Sequence, residues 1–497
     1  MVPPSEGNEV RRDERQGVGV LHSTDEVREP PPGDRVEGRE GRITEPLERQ
    51  MTGTPRPNNI STKLQRIAKQ AREIPEPLNN LAHHMDIEWL HEAYRRTRKD
   101  GAVGVDGQSA EQYAANLEVN LQRLLKRVKT GSYQAPPVRR VEIPKPGKPN
   151  ETRPIGIPTF EDKVLQRAVV MLLEPIYEHE FLDCSWGFRP KRSAHGALQS
   201  LWRQTMNMRG GWMVELDFRR FFDTLDHGRL REIIRQRMRD GVLLRLIGKW
   251  LKAGVLSEGQ VHRPRAGTPQ GGVISPLLAN IYLHEVLDLW FAERVRPRLN
   301  GRAHMIRYAD DAVLGFEWEE DARRVLRALP ERVAGYGLRL HPEKTQLVEF
   351  RAQPKRKGPT AVGEPPRSFD FLGFTHFWCL SRKGNWVIKR KTAKGRFSRA
   401  VTAAHLWCRR NRHLSVKQQH RTLCRKLRGH FSYYGITGNS PALVNFHRIV
   451  ERIWHKWLNR RSQRSVLTWK RFDRLLLRYP LPRPRPIHSI YCRAAKP

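Results

Sequence analysis

Two acidic sites set into apolar, extended runs restrict the fold more than any other feature of the chain. One is Val214-Glu215-Leu216-Asp217-Phe218, and the other is Ile306-Arg307-Tyr308-Ala309-Asp310-Asp311-Ala312-Val313. Adjacent carboxylates between hydrophobic strands repel one another, and burial disfavours their ionisation. Divalent cations remove that cost. Mg2+ takes oxygen ligands and shares them with substrate phosphates. Two such ions roughly 3.5–4 Å apart can stabilise both the attacking and the leaving oxygen of a phosphoryl displacement. Asp217 at a strand end and Asp310–Asp311 at a hairpin tip could supply that cage. An ordinary β-turn containing Asp is the alternative reading of the second site.

Helix and strand patterns mix around these sites. Ser109, with Gln112 three residues on, reads as a capping box. It opens a helix with Tyr113, Leu117, Leu121, Leu124, Leu125 and Val128 on its apolar face and a stop near Gly131. Residues 138–143 alternate as a strand, and 144–150 read as a loop or hairpin tip. Thr159 caps a helix that buries Val164, Leu165, Ala168, Val169, Leu172, Leu173 and Ile176. Further on, 212–218 is a strand, 227–238 and 275–294 are helical, and 306–316 forms two short strands around Asp310–Asp311. Residues 322–336 are helical and 338–350 extended. No regular βαβ repeat emerges, so the expected fold class is α+β.

The charge narrows the partners. The 497 residues carry a net charge of +39, which points to a polyanion. Residues 1–60 hold nine Arg against twelve Asp/Glu; rich in Pro and Gly, without apolar period, they are predicted to be disordered. Residues 381–497 hold 30 Lys/Arg against only Glu451 and Asp473, a net of +28. The same segment carries Trp386, Trp407, Trp454, Trp457, Trp469 and Tyr433–Tyr434, a mixture suited to phosphates and unstacked bases. Within it Phe446, Ile449, Val450, Ile453, Trp454, Trp457 and Leu458 mark one buried helix face, while Arg448, Arg452, Lys456 and Arg460 recur every four residues on another. Like charges at that spacing repel by roughly a few tenths of a kcal/mol each. A polyanion lying along the stripe would offset this; a solvated basic face is the alternative.

No run reaches the ~18 apolar residues of a membrane span, and the first thirty residues have no signal-peptide core. Cysteines 184, 379, 408, 424 and 492 form no CxxC pair, so no zinc site or disulfide framework is expected. A reducing cytoplasm fits.

The acidic sites also resemble a known family. Tyr308-Ala309-Asp310-Asp311 resembles the YADD box of reverse transcriptases, and Leu216-Asp217-Phe218-Arg219-Arg220-Phe221-Phe222-Asp223 their first palm motif. The run 266–276, Ala-Gly-Thr-Pro-Gln-Gly-Gly-Val-Ile-Ser-Pro, is similar to the motif between them. The version here is most similar to bacterial group II intron-encoded reverse transcriptase/maturases. Ile143-Pro144-Lys145, the run 153–158 (Arg-Pro-Ile-Gly-Ile-Pro) and Gly187-Phe188-Arg189-Pro190 match the fingers blocks. The run 337–345 and Phe371-Leu372-Gly373-Phe374 match later ones, Gly104-Val105-Asp106-Gly107 an N-terminal block, and 457–487 the thumb. The resemblance implies a right-hand polymerase. Its parts would be a tail (1–60), a helical N-terminal extension (61–130), fingers and palm (131–380), and a basic helical thumb or maturase domain X (381–497).

By that resemblance Asp217, Asp310 and Asp311 are catalytic and, with the backbone carbonyl of Phe218, bind two Mg2+ ions. A primer 3′-hydroxyl attacks the α-phosphate of a dNTP and pyrophosphate leaves, which asks little of the protein beyond positioning and charge neutralisation. Lys145 and Arg153 lie where the fingers grip the triphosphate, with Lys148 competing for the role of Lys145. Phe222 takes the sugar-selecting position and excludes a 2′-hydroxyl. Phe221 and Phe222 are expected to face opposite ways on extended backbone. Gln270, Gly271 and Gly272 lie under the nascent pair, where glycine permits close backbone approach, or else form a simple turn. Arg189 contacts template or nucleotide, or makes a structural ion pair. Lys344 approaches the triphosphate or is a loop lysine, and Tyr308 supports the primer end or packs in the core. Arg448, Arg452, Lys456 and Arg460 bind RNA.

The implied partners are group II intron RNA, an RNA template, a DNA primer or target, and dNTPs, in a bacterial, nucleoid-associated setting. Many family members end in a cysteine-bearing HNH nuclease. That pattern is not read here, so no DNA-nicking activity is expected and priming would use a DNA end supplied by other machinery. Two other functions stay open: an RNA-binding splicing cofactor with a silent polymerase, and a host-adopted polymerase in defence or repair. The intact aspartates favour the polymerase.

Overall fold

The computed structural model describes residues 59–488, except 146–147, 258, 263–265, 269, 353–366, 382 and 463–465. The predicted tail, up to residue 58, and Cys492 lie outside the described residues. Helices α1 (Asn59–Glu73) and α2 (Ile87–Arg96) come first. The capping box forms as expected. Ser109 Oγ accepts from Gln112 N, and Gln112 Oε1 accepts from Ser109 N. The helix it opens is not continuous, however. It breaks into α3 (Ala110–Ala114) and α4 (Leu117–Lys129), and Asn120 Nδ2 donates to the Tyr113 carbonyl at 2.9 Å. Buried Tyr113, Leu121, Leu124 and Val128 still share the core, so the break leaves the apolar face intact.

Strands β1 (Val138–Lys145) and β2 (Lys148–Ile157) form the expected hairpin. Helix α5 (Phe160–Glu180) follows, with Thr159 Oγ1 accepting from Asp162 N at 3.3 Å. All seven apolar positions expected to be buried on α5 are buried. It is the spine against which α1 and α2 pack, with Trp89 Nε1 donating to Ala168 O at 3.0 Å. Next come α6 (Ala194–Asn207), β3 (Gly210–Leu216), the short turn α7 (Phe221–Thr224), α8 (His227–Arg237) and α9 (Gly241–Lys252). Strands β4 (Val255–Ser257) and β5 (Gln260–His262) extend the hairpin sheet, in the order β2-β1-β4-β5. Helix α10 (Ser275–Leu283) continues into wider π turns through Val295.

The central sheet carries the acidic sites. Strands β6 (Ala303–Tyr308) and β7 (Asp311–Phe316) form a hairpin, followed by α11 (Glu319–Ala334) and β8 (Gln346–Arg351). Their order is β6-β7-β3-β8, antiparallel throughout. Only part of the extended run expected over 338–350 is strand. Residues 341–345 close into a turn, with the Lys344 and Thr345 N–H groups donating to His341 O.

A third sheet contains β9 (Phe369–Phe371), β10 (Phe374–Leu380) and β11 (Trp386–Thr392), with Leu380 opposite Trp386. The expected boundary at 380/381 therefore cuts a hairpin. The alternation of β11 is masked because Arg390 is buried between Ile388 and Thr392 while Lys389 and Lys391 lie on the other face, and the helical segment begins at α12 (Lys394–Arg410). Helices α13 (Val416–Tyr434), α14 (Ser440–Asn459) and α15 (Trp469–Arg478) complete it. Their core includes Leu423, Leu427, Phe431, Leu443, Val450, Trp454 and Phe472 and joins Ala197, Leu198 and Leu201 of α6. No helix among the described residues is long and apolar enough to cross a membrane.

Candidate active site

Strand register brings the acidic sites together. Leu216 lies opposite Ala312 and Glu215 opposite Val313, so the next step places Asp217 across from Asp311. Asp310 sits on the two-residue turn between β6 and β7. The backbone after β3 is held from the other side. His341 N–H donates to Asp217 O and Arg219 N–H to Arg339 O, both at 2.8 Å. These two bonds flank Phe218 and Leu340, an antiparallel pair. The N–H and C=O of Phe218 therefore point away from residue 340, toward the β7 side.

The hairpin tip is fixed by buried groups that the sequence reading did not single out. Ala309 has φ 57°, a left-handed conformation that a non-glycine residue adopts only under constraint. Gly187 lies against it: a Cβ there would come within 2.3 Å of Ala309 N. Behind the tip, Arg307 and Asp288 are fully buried and paired, Nε to Oδ1 at 2.8 Å and Nη2 to Oδ2 at 2.5 Å. Arg307 also donates to Asn280 Oδ1 (2.9 Å), Ala309 O (3.0 Å) and Ser185 Oγ (2.8 Å). The visible signal was an arginine inside an otherwise apolar strand.

The electrostatics are those of crowded carboxylates. Desolvation by the surrounding protein, then the charge of Asp217, raises the Asp310 carboxyl above its usual range. Asp311 opens to the cleft, yet desolvation followed by Asp310 and Asp217 pushes it up to about 7. Arg153 opposes both shifts, and Lys344 opposes the one at Asp311. Lys344 Nζ sits 2.7 Å from Asp217 Oδ2. Among the described residues no three acidic, His or Cys side chains converge on one ligand point. Register gathers the trio, and in this arrangement the Asp217 carboxylate is turned onto Lys344. The donor set still fits a hard divalent cation. It is all oxygen, its like charges raise one another, and a cationic group already rests on one member.

Residues 143–376 match the family described as reverse transcriptase (RNA-dependent DNA polymerase). Over 283 residues the chain is 36% identical to the group II intron-encoded protein LtrA of Lactococcus lactis subsp. cremoris, covering 54% of this chain and 46% of that protein. It is 41% identical over 227 residues to protein YkfC of Escherichia coli K12, covering 44% of this chain and 58% of that protein. It is also 27% identical over 328 residues to a putative COX1/OXI3 intron 1 protein of Saccharomyces cerevisiae, covering 56% and 39%. Residues 143–376 are thus similar to a reverse transcriptase domain, and the relative here whose name states a function is a group II intron-encoded protein. The chain spans about half the length of the curated relatives it matches.

The β1–β2 hairpin sets Arg153 opposite Ile143, exposed and with its charge felt at Asp310 and Asp311. Lys145 and Lys148 pair through their backbones at the hairpin end; their side chains lie outside the described set. Phe222 departs from the expected extended backbone. Arg220 takes φ 50° and the chain turns into α7. The two rings still part company: Phe221 is buried beside Phe218, and Phe222 is half-buried, edge-on to Phe221 at 5.3 Å. Phe222 O accepts from Thr268 N at 2.7 Å.

One glycine of the next motif is pressed against protein backbone. Gly271 has φ 120°, and a Cβ there would lie 2.8 Å from Gly156 O of β2. Gln270 O accepts from Gly156 N at 2.8 Å. Gly272 is buried, and Gln166 Oε1 accepts from Val273 N at 2.8 Å. Gln166 donates to Asp162, which also accepts from Tyr133 and Trp250 and is pushed up to about 6 by burial. This network was not legible in advance.

Arg189 resolves to its structural alternative. It is buried on Glu178, and further N–H groups donate to the carbonyls of Leu182 and Ser185, so its donors point inward rather than at a template. Tyr308 is half-buried against the core shared with the C-terminal helices. Arg448, Arg452, Lys456 and Arg460 are all exposed along α14, opposite its buried face. Lys456 and Arg460 lie over the Trp457 ring and share a groove with His405, Arg409 and Arg412 of the α12 side.

Proposed function

We propose that this chain is a reverse transcriptase that copies RNA into DNA, binds the group II intron RNA that encodes it, and assists splicing and mobility. The observation that carries the reading is the β3–β7 register that sets Asp217 across from Asp311 beside Asp310. Asp217, Asp310, Asp311 and the Phe218 carbonyl would hold two Mg2+ ions. When bound, these would activate the primer 3′-hydroxyl and neutralise charge on the α-phosphate and leaving pyrophosphate. Arg153 and Lys145 would bind the triphosphate; a guanidinium suits that contact because it stays charged and bidentate. Gln270, Gly271 and Gly272 would line the nascent pair, and Tyr308 the primer end.

RNA-templated primer extension by the purified protein tests this reading. No DNA product from the unmutated chain would leave the splicing cofactor standing.

Phe222, braced through its carbonyl by Thr268, would meet the sugar. Phe222→Ala is expected to raise ribonucleotide incorporation by about ten-fold or more relative to dNTPs, since removing a steric block of this kind is worth roughly 1–3 kcal/mol. Competition assays with matched rNTP and dNTP check it, and unchanged discrimination would reject the gate.

The α14 stripe supports an RNA contact by charge. The log of RNA affinity is expected to fall linearly with log salt, and Arg452→Gln to lower that slope by about one phosphate contact, ~0.7–0.9. A slope equal to that of the unmutated protein would remove Arg452 from the interface.

A further inference from the structure

Lys344 places an ammonium directly on a catalytic carboxylate, Nζ to Asp217 Oδ2 at 2.7 Å. The backbone that carries the lysine is tied to the backbone that carries the aspartate. His341 N–H donates to Asp217 O, and the 341–345 turn is closed by the Lys344 and Thr345 N–H groups on His341 O. The next residue, Gln346, pairs with Glu215 of β3. The two residues therefore cannot drift apart, and only the four-carbon stem of the lysine is free to move. That stem is more than half exposed, so the ammonium can swing between the carboxylate and the open cleft. Its charge also acts on Asp311.

We propose that Lys344 is a built-in competitor of the divalent cation, with ammonium and metal ion occupying alternative positions on the Asp217 carboxylate. The proposal rests on reading the aspartates as a metal site. Asp217 cannot turn fully to a metal while its Oδ2 holds Lys344, and no common ligand point exists among the described residues in this arrangement. An exposed ion pair is weak, so a doubly charged ion displaces it. A lysine suits the task better than an arginine, because it is a single hydrated point charge rather than a fork that grips both oxygens. Before loading, the ammonium offsets the repulsion within the trio. Metal entry frees it into the cleft.

Mn2+ binding to the full chain without nucleic acid, followed by the spin-resonance signal of the free ion, tests this. Lys344→Gln is expected to bind Mn2+ about 1.5- to 5-fold more tightly than the unmutated protein, and Asp310→Asn to lose the site. Arg153→Gln, which removes a charge felt at Asp310 and Asp311, is expected to give a smaller gain. Unchanged affinity in Lys344→Gln, with Asp310→Asn losing the site, overturns the competition while the metal site stands. An equal gain in Arg153→Gln reduces Lys344 to general electrostatics and also overturns it. If Asp310→Asn binds Mn2+ like the unmutated chain, the metal reading itself fails, and the competition with it.

Discussion

Asp310→Asn is expected to lower RNA-templated primer extension by about a thousand-fold or more, in the range seen when a group essential to the chemistry is removed, without lowering the melting temperature. The two effects have one cause. Asp310 is held above its usual carboxyl range by burial and by Asp217, so in the folded protein its ionisation is disfavoured. A carboxyl whose folded pKa is raised binds its proton more tightly folded than unfolded. Stability is therefore lost as pH rises above the ordinary value of 3.8. Asparagine has no charge to bury. The variant should gain most over the unmutated protein at neutral pH and little near pH 4, and added Mg2+ should shrink the difference by stabilising the unmutated chain. Primer extension and thermal melting at the two pH values measure both arms. Extension within ten-fold of the unmutated protein would remove Asp310 from the chemistry.

The Arg307–Asp288 pair should give the largest loss of stability. Asp288→Asn leaves a fully buried guanidinium without its counter-charge, which typically costs about 3–5 kcal/mol and should lower the melting temperature by about 3–5 °C for a chain of this length. Replacing both partners by apolar residues of similar size, Asp288→Leu with Arg307→Met, should recover most of that stability, because neither charge then needs compensation. Activity should not return with it. Arg307 also donates to the Ala309 carbonyl, on the tip that carries Asp310, and methionine has no donor for it. Melting of Asp288→Asn within about 1 °C of the unmutated protein would show that the pair is not stabilising the tip.

Much of the local structure was readable because its causes are local. The β6–β7 hairpin, the Thr159 cap and the two faces of α14 follow from spacing within a dozen or so residues. The misreadings arose where distant segments override a local pattern. Phe221 and Phe222 were expected on extended backbone, but Arg220 turns the chain into α7, where the Phe222 carbonyl meets Thr268. The apolar face running from Tyr113 to Val128 survives a helix break at residues 115–116, because burial depends on the face and not on continuity. The strand β11 looked like part of a basic helical segment, since its pairing with β10 is invisible in composition.

The chain's residues by themselves determined the palm's acidic motifs, their order, the family resemblance they carry, and where the excess positive charge lies. Folding decided what each group faces. Arg189 turns inward onto Glu178, Gly187 lies under Ala309, Gly271 is pressed on Gly156, and Lys344 occupies Asp217. Each of these pairings joins residues apart in sequence, from eleven positions to more than a hundred, and such a contact depends on how sheets and helices meet rather than on any period along the chain.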